Sequence, residues 1–186
     1  MNKSQSNNTR RFPHPAAGAA LAGLSVLLLV ADPLAAAGNG QNNRAPELPA
    51  ALEVPSGSKV AFHAYAVGVQ IYEWSGSAWV FVEPEAVLLA DARGHGEVGI
   101  HYAGPTWESQ SGSKVVGARV AGATVDPTAI PWLLLRAVST AGPGIFHRVT
   151  YIQRVNTTGG TAPTTPGTAA GARVEVPYTA EYIFYR

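Results

Sequence analysis

Short apolar runs alternate with clusters of turn-forming residues from near residue 52 to the C terminus. The runs are rich in Val, Ile, Tyr, Phe and Trp, and Gly, Ser and Pro separate them at intervals of roughly ten residues. Inward and outward positions alternate most clearly at residues 78–82 and 145–155. The pattern predicts an all-β fold of about nine antiparallel strands. The expected strands cover residues 59–67, 69–74, 78–82, 86–90, 97–102, 114–121, 131–139, 145–155 and 178–185.

Both faces of these strands carry apolar groups, which suits strands that are covered on both sides. A single β-sandwich or β-barrel domain achieves this and also protects the strand edges. Residues 131–137 also fit a short helix, because Leu, Arg and Ala favour one and Pro is tolerated in its first turn; we prefer a strand there. Residues 157–171 are rich in Thr, Gly and Pro and predict a long loop, either a lid beside a site or a solvated excursion.

The N-terminal residues have the anatomy of an export signal. Lys3, Arg10 and Arg11 precede an uncharged stretch, residues 16–30, and the alanines that end at Ala37 predict cleavage there. The stretch is shorter than the ~20 residues that a membrane-spanning helix needs, although an uncleaved anchor remains the alternative.

We therefore expect a signal peptide over residues 1–37, a flexible leader over 38–51 and a single β domain over 52–186. The expected location is periplasmic or secreted, with no membrane span after cleavage.

Composition narrows the classes of function. The formal net charge of +1 disfavours nucleic acid as a partner. The absence of Cys excludes thiolate catalysis, Cys-ligated zinc and disulfides, so the core alone must stabilise the fold.

Two sets of residues resemble a cofactor site or a metal site, but neither is expected to bind one. Residues 94–99 match the dinucleotide-binding pattern Gly-x-Gly-x-x-Gly, but the residues that follow cannot form the helix this motif requires. Residues 91–96 therefore predict a hairpin turn, and we expect no cofactor. His63, His101 and Glu108 have the donor types of an open metal site, but their spacing does not favour one and we expect no metal.

Two clusters carry the candidate chemistry. Residues 102–108 combine aromatic faces with a carboxylate, as recognition of a sugar or peptide requires, and residues 151–157 place polar groups before the long loop. The structural alternatives are that Trp107 plugs the end of a barrel and that Arg154 pairs with Glu108. The ligand-binding candidates are His101, Tyr102, Trp107, Glu108, Lys114, Gln153, Arg154 and Asn156.

Several long strings together resemble one family. They are AFHAYAVGVQIYE at 61–73, HYAGPTWE at 101–108, IPWLLL at 130–135 and YIQRVNTTGG at 151–160. The chain from residue 52 to 186 resembles the domain-of-unknown-function 3455 family, which implies an exported bacterial or fungal protein without an established activity. Some fungal members carry a malate dehydrogenase label, which the failed dinucleotide pattern does not support.

The resemblance also implies that many members have a Cys where this chain has Trp74 and another in the loop around Pro166. The joint loss of both fits the removal of a disulfide, which would leave this loop freer.

The preferred function is non-covalent binding of a small molecule, glycan or envelope partner through the Trp107 region, with Trp107 partly exposed in a concavity. One alternative is a hydrolase- or lyase-type enzyme in which Glu108 acts as general acid or base, assisted by His101 or Lys114. The His101 version requires the two side chains to lie within about 3–5 Å across a pocket. The other alternative is a structural envelope or stress-related protein. It predicts neither a partly exposed Trp107 in a concavity nor a close approach of Glu108 and His101.

Overall fold

The computed structural model describes residues 47–186, and the all-β prediction is confirmed. The expected signal peptide and most of the expected leader lie outside the described residues. Residues 47–186 contain no helix that is long and apolar enough to cross a membrane. The strands are β1 Val60–Trp74, β2 Trp79–Leu89, β3 Glu97–Tyr102, β4 Thr106–Ser109, β5 Lys114–Ala123, β6 Trp132–Ala141, β7 Tyr151–Gly159 and β8 Arg173–Tyr185.

The strands form a closed antiparallel barrel in which each strand pairs with its neighbours along the chain. The barrel closes where β8 returns to β1, with a register that runs from Val60 opposite Tyr185 to Glu73 opposite Arg173. Closure pairs the outer edges of the first and last strands, so neither strand remains free to pair with another chain.

The expected number of strands was wrong because two long strands each contain a residue that usually interrupts one. Residues 59–67 and 69–74 form a single strand, β1, that continues through Gly68. A Cβ at Gly68 would lie 2.5 Å from Cα of Ala86, so glycine here permits a close approach of β1 to β2.

Residues 78–82 and 86–90 likewise belong to one strand, β2, which contains Pro84. Pro84 lies beside a register shift between Ile71 and Tyr72 of β1, where Glu83 and Phe81 are the successive partners. Proline is tolerated in strands at such bulges, because the ladder is already interrupted there.

Two further expectations about strands need correction. Residues 106–109 form the short strand β4. This strand was not predicted, because the Gly-Pro pair directly before it indicated a turn. Residues 145–150 precede β7, and Phe146 inserts its fully buried ring into the barrel from this connection. The preference for a strand over a helix at residues 131–139 is confirmed by β6.

One end of the barrel interior is packed with aromatic rings. Phe146 and Phe184 have ring centroids 4.8 Å apart, and Phe62 lies 6.2 Å from Phe146 and 6.0 Å from Phe184. Leu88 and Ile152 complete this fully buried region. Gln70 and Tyr72 lie towards the other end of β1, where the interior is not filled.

A second apolar cluster lies on the outer face of the barrel, where the segment before β1 covers the sheet. This segment contains a 3-10 helix, Ala50–Leu52, and the side chain of Leu52 is fully buried. The cluster is formed by Val155, Ile183 and Tyr185, with Leu48, Val54, Val60, Trp132 and Tyr151 packed around them.

The expected hairpin turn at residues 91–96 is confirmed between β2 and β3. The carboxylate of Asp91 accepts hydrogen bonds from the backbone N–H groups of Arg93 (2.9 Å) and His95 (3.1 Å). These bonds hold the turn in an Asx-type arrangement, which is a common use of Asp at this position.

The loop before β8 packs against the β1–β2 hairpin. The indole N–H of Trp79 donates a hydrogen bond to the carbonyl of Thr165 (2.8 Å). A Cβ at Gly167 would lie 2.5 Å from Cγ of Trp74, so this backbone passes directly against the Trp74 ring. Trp74 therefore contacts the loop region in which the resemblance implies a cysteine in relatives.

We expect Phe146→Ala to destabilise the barrel by about 3–5 kcal/mol, because it empties a fully buried aromatic site. Ile145→Ala is the control, since Ile145 is 37% exposed and its loss should cost no more than about 0.5 kcal/mol. Urea unfolding of both variants measures the difference. Equal losses would show that Phe146 does not close the barrel end.

Candidate functional site

The unfilled end of the barrel contains a cavity of about 560 Å³. Eight-stranded barrels have interiors just wide enough to be filled by side chains or to hold one small ligand, and this barrel is filled at one end only. The lining is mainly apolar, with a few polar groups. The residues are Gln70, Tyr72, Phe81, Val82, Pro84, His101, Gly104, Pro105, Trp107, Arg119, Ile130, Pro131, Leu133, Leu135, Arg154 and Tyr182.

Trp107 lies between the packed end of the barrel and the cavity. Its ring packs on Phe184 at 5.9 Å and on Tyr182 at 5.3 Å, and it stacks on His101 at 4.4 Å with an interplanar angle of 11°. Trp107 is 1% exposed, so the expectation of a partly solvent-exposed Trp107 was wrong.

His101 is a neutral imidazole with a fixed tautomer. Its Nδ1 lies 2.8 Å from the carbonyl oxygen of Thr106, and because a carbonyl can only accept, Nδ1 carries the proton. Burial lowers the pKa of His101 to about 3. The other ring nitrogen, Nε2, is therefore a hydrogen-bond acceptor at neutral pH.

Several buried polar groups at this end of the barrel form no hydrogen bond of normal length and angle with a described residue. They are Nε2 of Gln70, Nε1 of Trp107 and the hydroxyl groups of Tyr178 and Tyr182. All except Tyr178 belong to residues that line the cavity. A buried donor that stays unpaired costs about 1–3 kcal/mol. Hydrogen bonding among Tyr178, Tyr182, Gln70 and Arg154 does contribute to the pKa shifts of the two tyrosines, so these groups are incompletely paired rather than isolated.

Arg154 supplies a positive charge beside the cavity. Its Nε and Nη2 donate hydrogen bonds to the carbonyl oxygen of Pro131 at 3.2 and 2.9 Å. No acidic side chain among residues 47–186 forms a salt bridge with it. The predicted pairing of Arg154 with Glu108 is therefore wrong, because Glu108 pairs with Lys114.

The charge of Arg154 reaches a group of neighbouring rings. The rings are those of His101, Tyr72, Tyr178 and Tyr182. Burial has the largest effect on each of them, since it lowers the pKa of His101 and raises the pKa of the tyrosines. The positive charge of Arg154 lowers the pKa of all four groups, so it acts on most of the titratable rings at the unfilled end.

Three of the expected site residues form a separate cluster on the outer face. Lys114 Nζ lies 3.0 Å from Glu108 Oε2, and the hydroxyl of Tyr102 donates a 2.7 Å hydrogen bond to the same oxygen. These bonds, that of Tyr102 first, lower the pKa of Glu108. The cluster holds Glu108 ionised and partnered.

The proposed catalytic pair of Glu108 and His101 does not exist in the structure. His101 lies opposite Trp107 in the register of β3 and β4, and their rings stack in the interior. Glu108 is the next residue along β4, and successive strand residues point to opposite faces. Its carboxylate accordingly contacts the outer side chains Tyr102 and Lys114.

The remaining expected residues have structural contacts away from the cavity. Gln153 is fully buried on the outer side of β7, where its Nε2 donates to the carbonyl of Leu52 (2.7 Å) and its Oε1 accepts from Tyr185 (2.6 Å). Asn156 is exposed, with a positive φ of 49°. Of the eight ligand-binding candidates expected from the sequence, the structure therefore brings only His101, Trp107 and Arg154 to the cavity.

The donor set considered for a metal does not converge. His63 Nε2 lies 3.1 Å from Glu181 Oε2, whereas His101 contacts Thr106 and Glu108 contacts Lys114. Within the part of the chain that the structure describes, no group of three or more His, Cys, Asp or Glu residues could hold a metal ion.

Sequence reasoning missed Gln70, Arg119 and Tyr182, which all line the cavity. Gln70 continues the inward series of Ala64 and Ala66 on β1 and is 2% exposed. A polar residue at an inward position of a long apolar strand was the available signal.

An eight-stranded barrel with a cavity at one end defines the class of this protein by its fold. The chain belongs to the family described as protein of unknown function (DUF3455), whose model matches residues 55–186. No significant match exists among curated proteins or among solved structures.

The buried neutral state of His101 predicts a specific pH dependence of stability. Unfolded histidine has a pKa of 6.5 and folded His101 one of about 3, so between these values the unfolded chain binds a proton that the folded chain does not. Stability is therefore lost as the pH falls through this window. His101→Gln removes the titration but retains a donor for the Thr106 carbonyl.

We expect the wild type to lose about 2 kcal/mol more than His101→Gln between about pH 7 and about pH 5. Urea unfolding at the two pH values measures this difference. Parallel pH dependences of the two proteins would contradict a neutral buried imidazole.

Because the hydrogen bonds of Gln153 lie away from the cavity and join parts of the fold, replacing this residue should lower the free energy of unfolding. Gln153→Leu leaves the Tyr185 hydroxyl and the Leu52 carbonyl without their partner, which should cost about 2 kcal/mol. Gln110→Leu is the control at an exposed position and should change stability by no more than about 0.5 kcal/mol. Thermal and urea unfolding measure both; equal effects would contradict this role.

Proposed function

We propose that this protein is a binding protein that holds a small, largely apolar molecule inside the barrel. The observation that carries the proposal is the cavity of about 560 Å³ above the Trp107 ring. Binding sites for small molecules are typically concave, mostly apolar and about 300–1,000 Å³ in volume. The cavity satisfies each of these criteria.

The arrangement of polar groups supports recognition of one molecule in a defined orientation. Gln70, Trp107 and Tyr182 have buried polar atoms that form no well-aligned hydrogen bond within the described residues, and His101 offers a fixed acceptor. Each side chain belongs to a strand of the closed barrel, so its position is set before a ligand enters. Such preorganisation reduces the entropy lost on binding.

The mouth of the cavity supports entry of an apolar molecule. Phe81 is 49% exposed and Val82 is 39% exposed, although both line the cavity. Apolar side chains at an opening provide favourable contacts for an apolar ligand as it leaves water.

The alternatives receive less support from these features. A glycan platform requires an accessible aromatic face, whereas Trp107 is buried. Catalysis by Glu108 with Lys114 would use a carboxylate that lies outside the cavity and already has two partners. A purely structural role gives no account of incompletely hydrogen-bonded polar groups around an unfilled interior.

Export is part of the proposal. It is supported by the basic start, the apolar stretch and the small residues up to Ala37. The protein would then bind its ligand in the periplasm or outside the cell.

A matched pair of variants tests binding in the cavity. Val82→Trp enlarges a side chain that lines it, whereas Val80→Trp makes the same change on the same strand at an exposed residue outside the lining. The probe is N-phenylnaphthylamine, an uncharged fluorophore that brightens in apolar surroundings. We expect Val82→Trp to weaken probe binding about tenfold or more, because the added ring occupies the mouth.

Val80→Trp should bind the probe like the wild type. Circular dichroism of both variants checks that the barrel is intact. Absence of probe binding by the folded wild type, or equal binding by both variants, would overturn the proposed function.

A further inference from the structure

The charges around the cavity are unbalanced. Arg119 and Arg154 both line it, and none of its described lining residues is acidic. On the outer face, Arg173 pairs with Glu73 at 2.8 Å and Lys114 pairs with Glu108 at 3.0 Å. Neither arginine of the cavity forms a salt bridge with a described residue, so the cavity carries a net positive charge.

Arg154 is fixed at this place. Its guanidinium is half-buried, and two of its nitrogens bind the single carbonyl oxygen of Pro131. This carbonyl is neutral, so the charge itself is not compensated. Placing a charge in a partly desolvated site without a counter-ion is costly, and a negatively charged ligand group would offset that cost.

Arg119 adds a second guanidinium on β5. A Cβ at Gly122 would lie 2.6 Å from Nη2 of Arg119, so the guanidinium lies over this glycine. Arg119 is exposed, and it therefore marks the opening of the cavity rather than its interior. A negatively charged molecule would meet Arg119 before it reached Arg154.

Two uncharged side chains of the cavity lining also favour an anionic ligand, because their buried polar atoms are hydrogen-bond donors. The indole N–H of Trp107 and the amide nitrogen of Gln70 can only donate, and neither forms a well-aligned hydrogen bond with a described residue. Carboxylate oxygens accept such hydrogen bonds, and guanidinium is the side chain best suited to bind a planar oxyanion. Arginine charge and donor-only groups thus converge on one ligand chemistry.

We propose that the ligand is an organic anion, with one oxyanion group that pairs with Arg154 and an apolar body that packs in the rest of the cavity. The inference rests on the proposed function, because it assigns the chemistry of the molecule that the barrel binds. Arg119 attracts the anion at the mouth. The Trp107 and Leu135 side chains contact its apolar body.

Two probes with the same aromatic framework test this assignment. Anilinonaphthalene sulfonate carries one oxyanion group, and N-phenylnaphthylamine lacks it. We expect the wild type to bind the sulfonate about tenfold more tightly than the uncharged probe in fluorescence titrations at low salt. The preference should shrink as salt is added, because the Arg119 contribution is exposed.

Arginine variants locate the source of the preference. Arg154→Met should abolish the preference for the sulfonate, measured as the ratio of the two probe affinities in the same variant, so that a general loss of binding does not imitate the effect. Arg119→Met should reduce the preference about threefold. Because Arg119 is exposed, this variant should fold, and it tests the anion assignment even if Arg154→Met impairs folding. Arg136→Met is the matched control, because Arg136 is exposed and does not line the cavity.

The outcomes separate the two proposals. Binding of neither probe overturns the proposed function. Binding of both with equal affinity, with loss in Val82→Trp, supports the proposed function and overturns the anion assignment. A sulfonate preference that survives Arg119→Met and Arg154→Met unchanged also overturns it, whereas a preference lost in these variants and kept in Arg136→Met supports it.

Discussion

The pairing of β1 with β8 is the constraint on which the rest of the molecule depends. The ladder extends from Val60 opposite Tyr185 to Glu73 opposite Arg173 and closes the sheet on itself. In a closed sheet of this size, the parity of a residue along its strand decides whether its side chain lies inside or outside. Trp107 and Glu108 are neighbours in the chain, yet one contacts the interior rings and the other an outer lysine.

The cavity results from the distribution of large and small side chains around the interior. Phe62, Phe146 and Phe184 fill one end, and the same core contains small residues on β1, β2 and β8. Gly117 leaves space for the ring of Trp107, because a Cβ at residue 117 would lie only 3.1 Å from Cζ3 of Trp107. The ring can therefore lie across the barrel, and the space beyond it remains open.

The sequence predicted the fold class better than it predicted the site. Alternating apolar positions and regular turns are local signals, and they correctly indicated a covered β domain and the turn at residues 91–96. Gly68 and Pro84 were misleading because their roles depend on a neighbouring strand: one allows close approach and the other lies at a bulge. Such roles are set by tertiary contacts that a single sequence does not display.

The candidate site shows the same limit. His101, Trp107 and Arg154 were found by residue type, whereas Glu108 and Gln153 were grouped with them through proximity in the chain. Gln70, Arg119 and Tyr182 come from three other strands, and only the closed register brings them together. The contact between Trp74 and Gly167 has a consequence of another kind. A contact between an indole and backbone forms without an oxidant, and no thiol can break it, so the loop can dock equally well in reducing and in oxidising surroundings.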